Sequence, residues 1–205
     1  MGDLISLLRP SKSSDHATLG MTLFLGSWGL TFVALFFAYG WIRLRMESWP
    51  PVGMPTLPIA LPTANSILVL FSSVCAQWAL TTLREARRDL ARRAMLGAAA
   101  LGIVFLALQL WSWTELWSSG LQLHRRAEGE PWSTSTAYAG CFYSLTGFHA
   151  AHVVMGLGWL GWLYVGLRRG LWSPREHAPV RFGVWFWHFV SVAWLAVYAG
   201  LYLAV

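Results

Sequence analysis

The stretch that decides the fold runs from Tyr138 to Leu167 and reads YAGCFYSLTGFHAAHVVMGLGWLGWLYVGL. Its thirty residues include no Asp, Glu, Lys or Arg, and His149 and His152 lie in its middle. A bilayer core about 30 Å thick is crossed by roughly 20 apolar residues in an α-helix. The stretch therefore predicts a transmembrane helix that carries two buried imidazoles.

Four further apolar stretches pass the same length test. The five predicted spans are 19–42, 64–83, 94–114, 138–167 and 182–205, and none contains a charged residue. Charged residues make up 12% of the chain, against about 25% in ordinary soluble domains, and the mean hydropathy is +0.50. Unpaired backbone groups are costly in lipid, and the alternation typical of barrel strands is absent. We expect an all-α membrane protein, with residues 1–205 forming one five-helix bundle.

The basic residues predict the topology of the chain. Eleven of the fifteen lie on one side, in the leader, the second loop and the fourth loop: Arg9, Lys12, Arg84, Arg87, Arg88, Arg92, Arg93, Arg168, Arg169, Arg175 and Arg181. The other side holds Arg43, Arg45, Arg125 and Arg126. The excess of basic residues in cytoplasmic loops places the N-terminus in the cytoplasm and Val205 in the periplasm.

The loops and cysteines suggest structural roles. The proline-rich loop 47–62 is expected to be extended and external. The loop from Arg84 to Arg93 is expected to be helical, with Glu85 and Asp89 four residues apart, and its arginines are candidate ligands for lipid headgroups: Arg84, Arg87, Arg88, Arg92 and Arg93. Cys75 and Cys141 lie inside apolar spans and are expected to be small buried hydrophobes.

The net charge of +6 does not indicate nucleic-acid binding, because the arginines form short clusters between spans. No cleavable signal peptide is expected, because the first apolar run is too long for a signal-peptide core.

His149 and His152 share one helical face, and His188 lies in the last span. Helical rise places His152 roughly 21 Å from one surface and His188 about 9 Å from the other, so the two can be at the same depth. Three interpretations follow: a haem held by paired histidines, a copper or zinc site made by all three, or neutral histidines that join helices by hydrogen bonds. We favour the third, with Ser191 as a candidate partner of His188, because the spans offer no carboxylate to support a metal ion.

Other polar and small residues in the spans fit a helical bundle. Gly147 with Ala151 and Ala98 with Gly102 are spaced for close helix contact, and Gly26 and Gly29 can act alike. Gln77 and Gln109 are expected to be buried amides that bridge helices. Proton pumps and ion-coupled transporters mark their pathways with ionisable residues at membrane depth. Their absence here, and the absence of common catalytic motifs, argues against an independent transporter or enzyme, and no catalytic residue is assigned.

Several strings together resemble subunit III of the haem-copper terminal oxidases. The strongest are FYSLTGFHAAHV at 142–153 and WHFV at 187–190, followed by Trp194. Weaker similarities cover the remaining spans: LFL at 23–25, LFFAY at 35–39, LPTAN at 61–65, SS at 72–73, WA at 78–79 and FLALQ at 105–109. Five helices with the N-terminus inside agree with the shorter, bacterial form of the family.

The resemblance implies a non-catalytic subunit of a cytochrome c or quinol oxidase in the bacterial inner membrane. Such a subunit docks on the catalytic subunit I in a complex with subunits II and IV, binds no haem or copper itself, holds phospholipids, and supports oxygen and proton access and stability during turnover. The residues that carry the family motif here are Gln109, Gly147, His149, His152, Trp187, His188 and Ser191. Two alternatives remain: a related accessory subunit of a nitric oxide reductase, and a di-histidine haem cytochrome.

Four positions depart from the family pattern, and each loses a carboxylate. Trp28 follows Ser27 where the family has a buried Glu, and Ser112 replaces the Glu of the third family helix. Arg181 and Ser191 replace acidic residues before and within the last helix. These changes predict that proton uptake through those carboxylates is lost, and that His188 has neutral neighbours.

Overall fold

The computed structural model describes residues 12–123 and 132–204. They form five long helices and, within those ranges, no strand. The helices are α1 (Lys12–Leu44), α2 (Ala60–Arg84), α3 (Arg88–Ser118), α4 (Trp132–Arg168) and α5 (Ala178–Tyr198), and a short π-helix (Ala199–Leu203) follows α5. Arg9, Arg125, Arg126 and Val205 lie outside the described residues.

All five helices are long and apolar enough to cross a membrane, which confirms the predicted spans. Each begins before its predicted apolar core or ends after it, because polar residues at a helix end can reach the headgroup region without breaking the helix. Pro62 therefore falls in the first turn of α2 rather than in the external loop. Proline is tolerated there because the first turn does not use its N–H.

The connection between α2 and α3 is a tight turn rather than a continuous helix. Glu85 lies in the turn and pairs with Arg87, whereas Asp89 pairs with Arg92 inside α3. Ala86 has a left-handed backbone with φ of 62°. The expected helical spacing of Glu85 and Asp89 is therefore wrong, since the chain reverses direction between them.

Helices α2 to α5 form the packed centre, and α1 lies at its edge. Only 11% of the residues in the most apolar stretch of α1 are buried, against 33–50% in the corresponding stretches of the other helices. Near its C-terminal end α1 is joined to the π-helix, because the Tyr39 hydroxyl donates a hydrogen bond of 2.8 Å to the Gly200 carbonyl oxygen. Most of the surface of α1 is left uncovered by this chain.

Candidate functional site

Trp187 lies at the centre of the bundle, where α2, α3, α4 and α5 meet. Its indole N–H donates to the Ser72 hydroxyl of α2 at 3.0 Å, and that hydroxyl donates to the Ala98 carbonyl of α3 at 2.7 Å. The indole is 1% exposed and packs between Gly102 and Gly156. A Cβ on either glycine would come within 2.7 Å of a ring carbon, so the two missing side chains make room for the indole.

The bonds around Trp187 continue along α2 and α5, which run antiparallel. Trp194 donates to the Ser66 hydroxyl at 3.0 Å, and the Thr63 and Tyr198 hydroxyls are 2.7 Å apart. With Ser72, these contacts join the two helices over roughly 14 Å of α2, which is about half of the bilayer core. Sequence reasoning missed them, although Trp187 and Trp194 are seven residues apart and their partners Ser72 and Ser66 are six residues apart on α2.

A Ser72→Ala substitution is expected to destabilise the isolated subunit by about 1 kcal/mol, because it leaves the buried Trp187 N–H without an acceptor. The measurement is unfolding in mixed micelles titrated with dodecyl sulfate. Ser191→Ala is the matched control, because Ser191 is also buried and, among the described residues, its hydroxyl bonds only to the Trp187 carbonyl of its own helix, at 2.9 Å. Equal losses in both variants would contradict the inter-helix role of Ser72.

His188 contacts α2, not His152 or Ser191. Its Nδ1 lies 2.5 Å from the Ser73 hydroxyl, and its Nε2 lies 3.1 Å from the Gln77 amide oxygen. An amide oxygen can only accept, so Nε2 carries the proton and Nδ1 accepts from Ser73. This pattern satisfies a neutral imidazole. The expected contact with Ser191 is wrong, and the contact with His152 that equal depth would permit is not formed, because His188 projects from α5 toward α2. Gln77, expected to be buried, is exposed on the outer face of the bundle.

His152 projects toward α1. Its Nδ1 donates to the Phe148 carbonyl oxygen of its own helix at 2.7 Å, which leaves Nε2 as the acceptor nitrogen. The ring lies edge-on to Trp28, with centroids 4.4 Å apart, and contacts Phe32 at 5.3 Å. Trp28, at the position where the family resemblance places a carboxylate, therefore packs directly on His152.

His149 is fully buried in an aromatic enclosure. Its ring centroid lies 5.3 Å from that of Trp194, 5.8 Å from Phe105 and 6.4 Å from Phe32. Within 12–123 and 132–204, neither ring nitrogen has a hydrogen-bond partner. The three histidines thus contact different neighbours. Among the described residues, the expected hydrogen bonds between helices are right for His188 and wrong for His149 and His152.

The separation of the three histidines also bears on metal binding. The family residues are spread over the bundle, and in the described part of the chain no three His, Cys, Asp or Glu side chains form a group that could hold a metal ion. His152 and His188 project to opposite neighbours, α1 and α2, so they do not form the paired arrangement expected for a haem clasped between two helices.

The remaining predicted positions differ in their surroundings. Gln109 and Ser112 are buried in α3, and among the described residues neither side chain has a hydrogen-bond partner, so the expected bridging bond of Gln109 is not formed. Arg181 donates to Thr18 at 3.0 Å and stacks on Phe182, so it ties the start of α5 to α1.

A Cβ on Gly147 or Gly26 would meet nothing within 4 Å. The predicted close contact is therefore wrong for these two glycines and right for Gly102.

The candidate headgroup arginines do not form one site. Arg84 donates to His177 at 3.2 Å, Arg87 pairs with Glu85, and Arg88 lies beside Gly170. Arg92 and Arg93 instead line a cavity against the end of α4, together with Arg168. All five lie at the same end of the bundle.

Comparison with known proteins identifies the family. Residues 12–204 match the family described as cytochrome c oxidase subunit III. The chain belongs to this family. Its relatives include proteins named cytochrome c oxidase subunit 3 from a Synechocystis strain, 33% identical over 98% of this chain and 84% of the relative, and from Thermostichus vulcanus, 30% identical over 98% and 94%. The Gallus gallus protein of that name is 30% identical over 89% of this chain and 67% of its own length.

Membership confirms the resemblance inferred from the sequence strings. The match reaches from the first residues of α1 to the end of the π-helix, so it covers every helix of the bundle. The spans and the family together show a multi-pass membrane protein.

Proposed function

We propose that the chain is the non-catalytic subunit III of a haem-copper oxidase, docked on the catalytic subunit I in a complex that includes subunits II and IV. The observation that carries this proposal is the family match across residues 12–204. The names of the relatives favour an oxidase that takes electrons from cytochrome c over a quinol oxidase or a nitric oxide reductase.

The proposal assigns haem and copper to the partner subunits and none to this chain. The geometry of the histidines supports this, because His149 is enclosed by aromatic rings and His188 is hydrogen-bonded through both nitrogens. A metal ligand needs a free nitrogen that points into an open coordination position. His152 packs on Trp28 of α1, so the three rings lie against different helices and do not converge on one ion, and we assign them a role in helix packing.

Docking and lipid retention are the supporting functions that this chain's residues favour, whereas proton uptake through buried carboxylates is not. Trp28 fills the space beside His152, and Ser112 and Ser191 are buried neutral residues. None of these side chains ionises at neutral pH, so none can replace a buried carboxylate as a proton-binding group. The uncovered surface of α1 supports docking against a further membrane subunit.

The proposed setting is a bacterial inner membrane, with the N-terminus of the chain in the cytoplasm. The turn between α2 and α3 and the end of α4 bring Arg84, Arg87, Arg88, Arg168 and Arg169 to one end of the bundle. A concentration of arginine at one end is the pattern that the positive-inside rule assigns to the cytoplasm.

The test is affinity purification of the tagged chain from its own membranes. We expect haem-bearing subunits to co-purify at a fixed ratio, and the chain expressed alone to show no Soret absorbance. Haem in the isolated chain that is lost in His188→Ala would replace the proposal with the di-histidine cytochrome. Co-purification with a nitric oxide reductase would replace it with the accessory-subunit alternative.

A His152→Ala substitution in the same purification is expected to lower the amount of chain recovered with its partners several-fold. Electron transfer per assembled complex should stay unchanged, because His152 packs α1 against α4 and takes no part in the redox chemistry. His16→Ala is the control, because His16 is an exposed histidine in the first turns of α1. A loss of electron transfer in fully assembled His152→Ala complexes would contradict this role.

A further inference from the structure

Three buried polar side chains lie in the half of the bundle away from the α2–α3 turn. They are Gln109 and Ser112 of α3 and Tyr202 of the π-helix, and each is at most 2% exposed. In the part of the chain that the structure describes, the Gln109 amide and the Ser112 and Tyr202 hydroxyls have no hydrogen-bond partner. Buried polar groups in native proteins are generally bonded to protein or to ordered water, because an unpaired one costs free energy comparable to a lost hydrogen bond.

The three side chains border one interior region. Helices α3 and α5 run in the same direction and are in register where Phe105 packs on Trp194, with ring centroids 4.9 Å apart. Gln109 and Ser112 follow Phe105 by about one and two helical turns, and Tyr202 follows Trp194 by about two. The Gln109 amide lies beside the Tyr202 hydroxyl, although no hydrogen bond joins them.

Asn65 of α2 brings a fourth unpaired group to the same level. Helices α2 and α3 are antiparallel and are joined where Ser72 donates to the Ala98 carbonyl. Seven residues from that contact along each helix, which is about two turns, Asn65 comes level with Phe105 on the same helical faces. Asn65 is 1% exposed, and within 12–123 and 132–204 neither of its amide atoms is bonded. One helical turn separates this level from Gln109.

The unpaired Ser112 hydroxyl differs from other buried hydroxyls of the spans. Ser66, Thr146 and Ser191 each donate to the carbonyl four residues earlier in their own helix, at 2.7–2.9 Å. Ser112 lies well inside α3, where the same kind of bond is open to it, but its hydroxyl does not make it. The Ser112 hydroxyl therefore remains available to a molecule between α3 and the π-helix.

The chemistry of these groups indicates a small neutral ligand. Amides and hydroxyls together offer both donors and acceptors, so the ligand must also donate and accept. The buried side chains of the described residues include no Asp, Glu, Lys or Arg, so no charge is present inside the bundle to balance an ion. Apolar rings limit the space, since Phe142 lies 6.3 Å from the Tyr202 ring between centroids. Water is small enough and bonds to two to four polar partners when buried.

We propose that Asn65, Gln109, Ser112 and Tyr202 bind ordered water inside the bundle, at what is here called the interior water site. Water between Gln109 and Tyr202 joins α3 to the π-helix, and water between Gln109 and Asn65 joins α3 to α2. The sequence predicts that Gln109 bridges helices, and the interior water site gives it that role through water in place of a direct bond. The site is independent of the proposed function, because all of its residues belong to this chain.

The first test is X-ray radiolysis of the protein purified from its own membranes, since radiolysis produces hydroxyl radicals where water is bound. Tyr202 should be oxidised several-fold faster than Tyr138, as measured by peptide mass spectrometry. Tyr138 is the matched control, because it is also 2% exposed and its hydroxyl donates to the Pro55 carbonyl oxygen at 3.4 Å. Equal oxidation of the two tyrosines would overturn the proposal.

A Gln109→Leu substitution removes two donors and an acceptor from the interior water site while keeping a side chain of similar size. We expect the oxidation rate of Tyr202 to fall several-fold and that of Tyr138 to stay unchanged. Gln77→Leu is the matched control variant, because Gln77 is an exposed amide that bonds to His188 of α5, at 3.1 Å, outside the site. An unchanged rate at Tyr202 in folded Gln109→Leu would remove Gln109 from the site.

The unaltered protein provides a test that does not depend on the folding of a variant. A high-resolution density map of the purified complex should show ordered water within hydrogen-bonding distance of both Gln109 and Tyr202. A direct hydrogen bond between these two side chains, with no density for water beside them, would overturn the proposal. Neither result bears on which subunits co-purify with the chain, so the water site and the oxidase assignment are tested separately.

Discussion

A Trp187→Ala substitution is expected to destabilise the isolated subunit by about 3 kcal/mol, which is the largest effect that we expect from any single substitution in this chain. The indole fills space shared by four helices and donates to Ser72. Its removal leaves a cavity that rigid helices cannot close, and it frees a buried hydroxyl from its partner. The measurement is the free energy of unfolding in mixed micelles titrated with dodecyl sulfate.

Trp78→Ala is the matched control for this substitution, because Trp78 lies on α2 and is 52% exposed in the isolated subunit. Its removal takes away the same volume without opening an internal cavity. A double variant, Trp187→Ala with Ser72→Ala, should lose less than the sum of the single variants, because the two changes remove the same bond. Similar losses for Trp78→Ala and Trp187→Ala would show that Trp187 is not a central packing residue.

A Gly156→Ala substitution is expected to have the second largest effect. A Cβ at this position would lie 2.7 Å from one Trp187 ring carbon and 3.2 Å from a Phe186 carbon. Both rings are buried, so the added methyl group must displace them or separate α4 from α5. Overpacking of this kind costs about 1–3 kcal/mol.

Gly147→Ala on the same helix is the control for Gly156→Ala. Both changes gain the same helix propensity, so the difference between the two variants isolates the overpacking term. At position 147 the added Cβ would meet nothing within 4 Å, and we expect the isolated subunit to tolerate it. If Gly147→Ala were the more destabilising of the two, Gly147 rather than Gly156 would be the residue in close helix contact, as the sequence pattern alone predicts.

The contrast between Gly147 and Gly156 shows how far the sequence leads in the choice of packing residues. Spacing identifies small residues on one helical face, but it does not reveal which face meets a neighbour. Gly156 makes room for Trp187 because α4 is rotated to present that side to α5. The rotation depends on all of the side chains between the helices, so a short motif cannot report it.

The histidines illustrate the same limit at the candidate site. Helical rise predicts that His152 and His188 lie at one depth, which makes a contact between them possible. Depth is one coordinate of three, and the directions in which α4 and α5 present these rings were not available from spacing. His152 therefore contacts Trp28 and Phe32 of α1, while His188 contacts Ser73 and Gln77 of α2.

The sequence by itself determined the five membrane-spanning helices and the family, because the length and hydropathy of each span follow from local composition and the motif strings are specific. It also indicated which end of the bundle carries the arginines. Only the tertiary structure decided that Trp187 occupies the centre, that each histidine has its own neighbours, and that Arg93 and Arg168 line the same cavity. Those contacts join residues far apart in the chain, and they depend on how each helix is rotated and tilted against the others, which hydropathy does not encode.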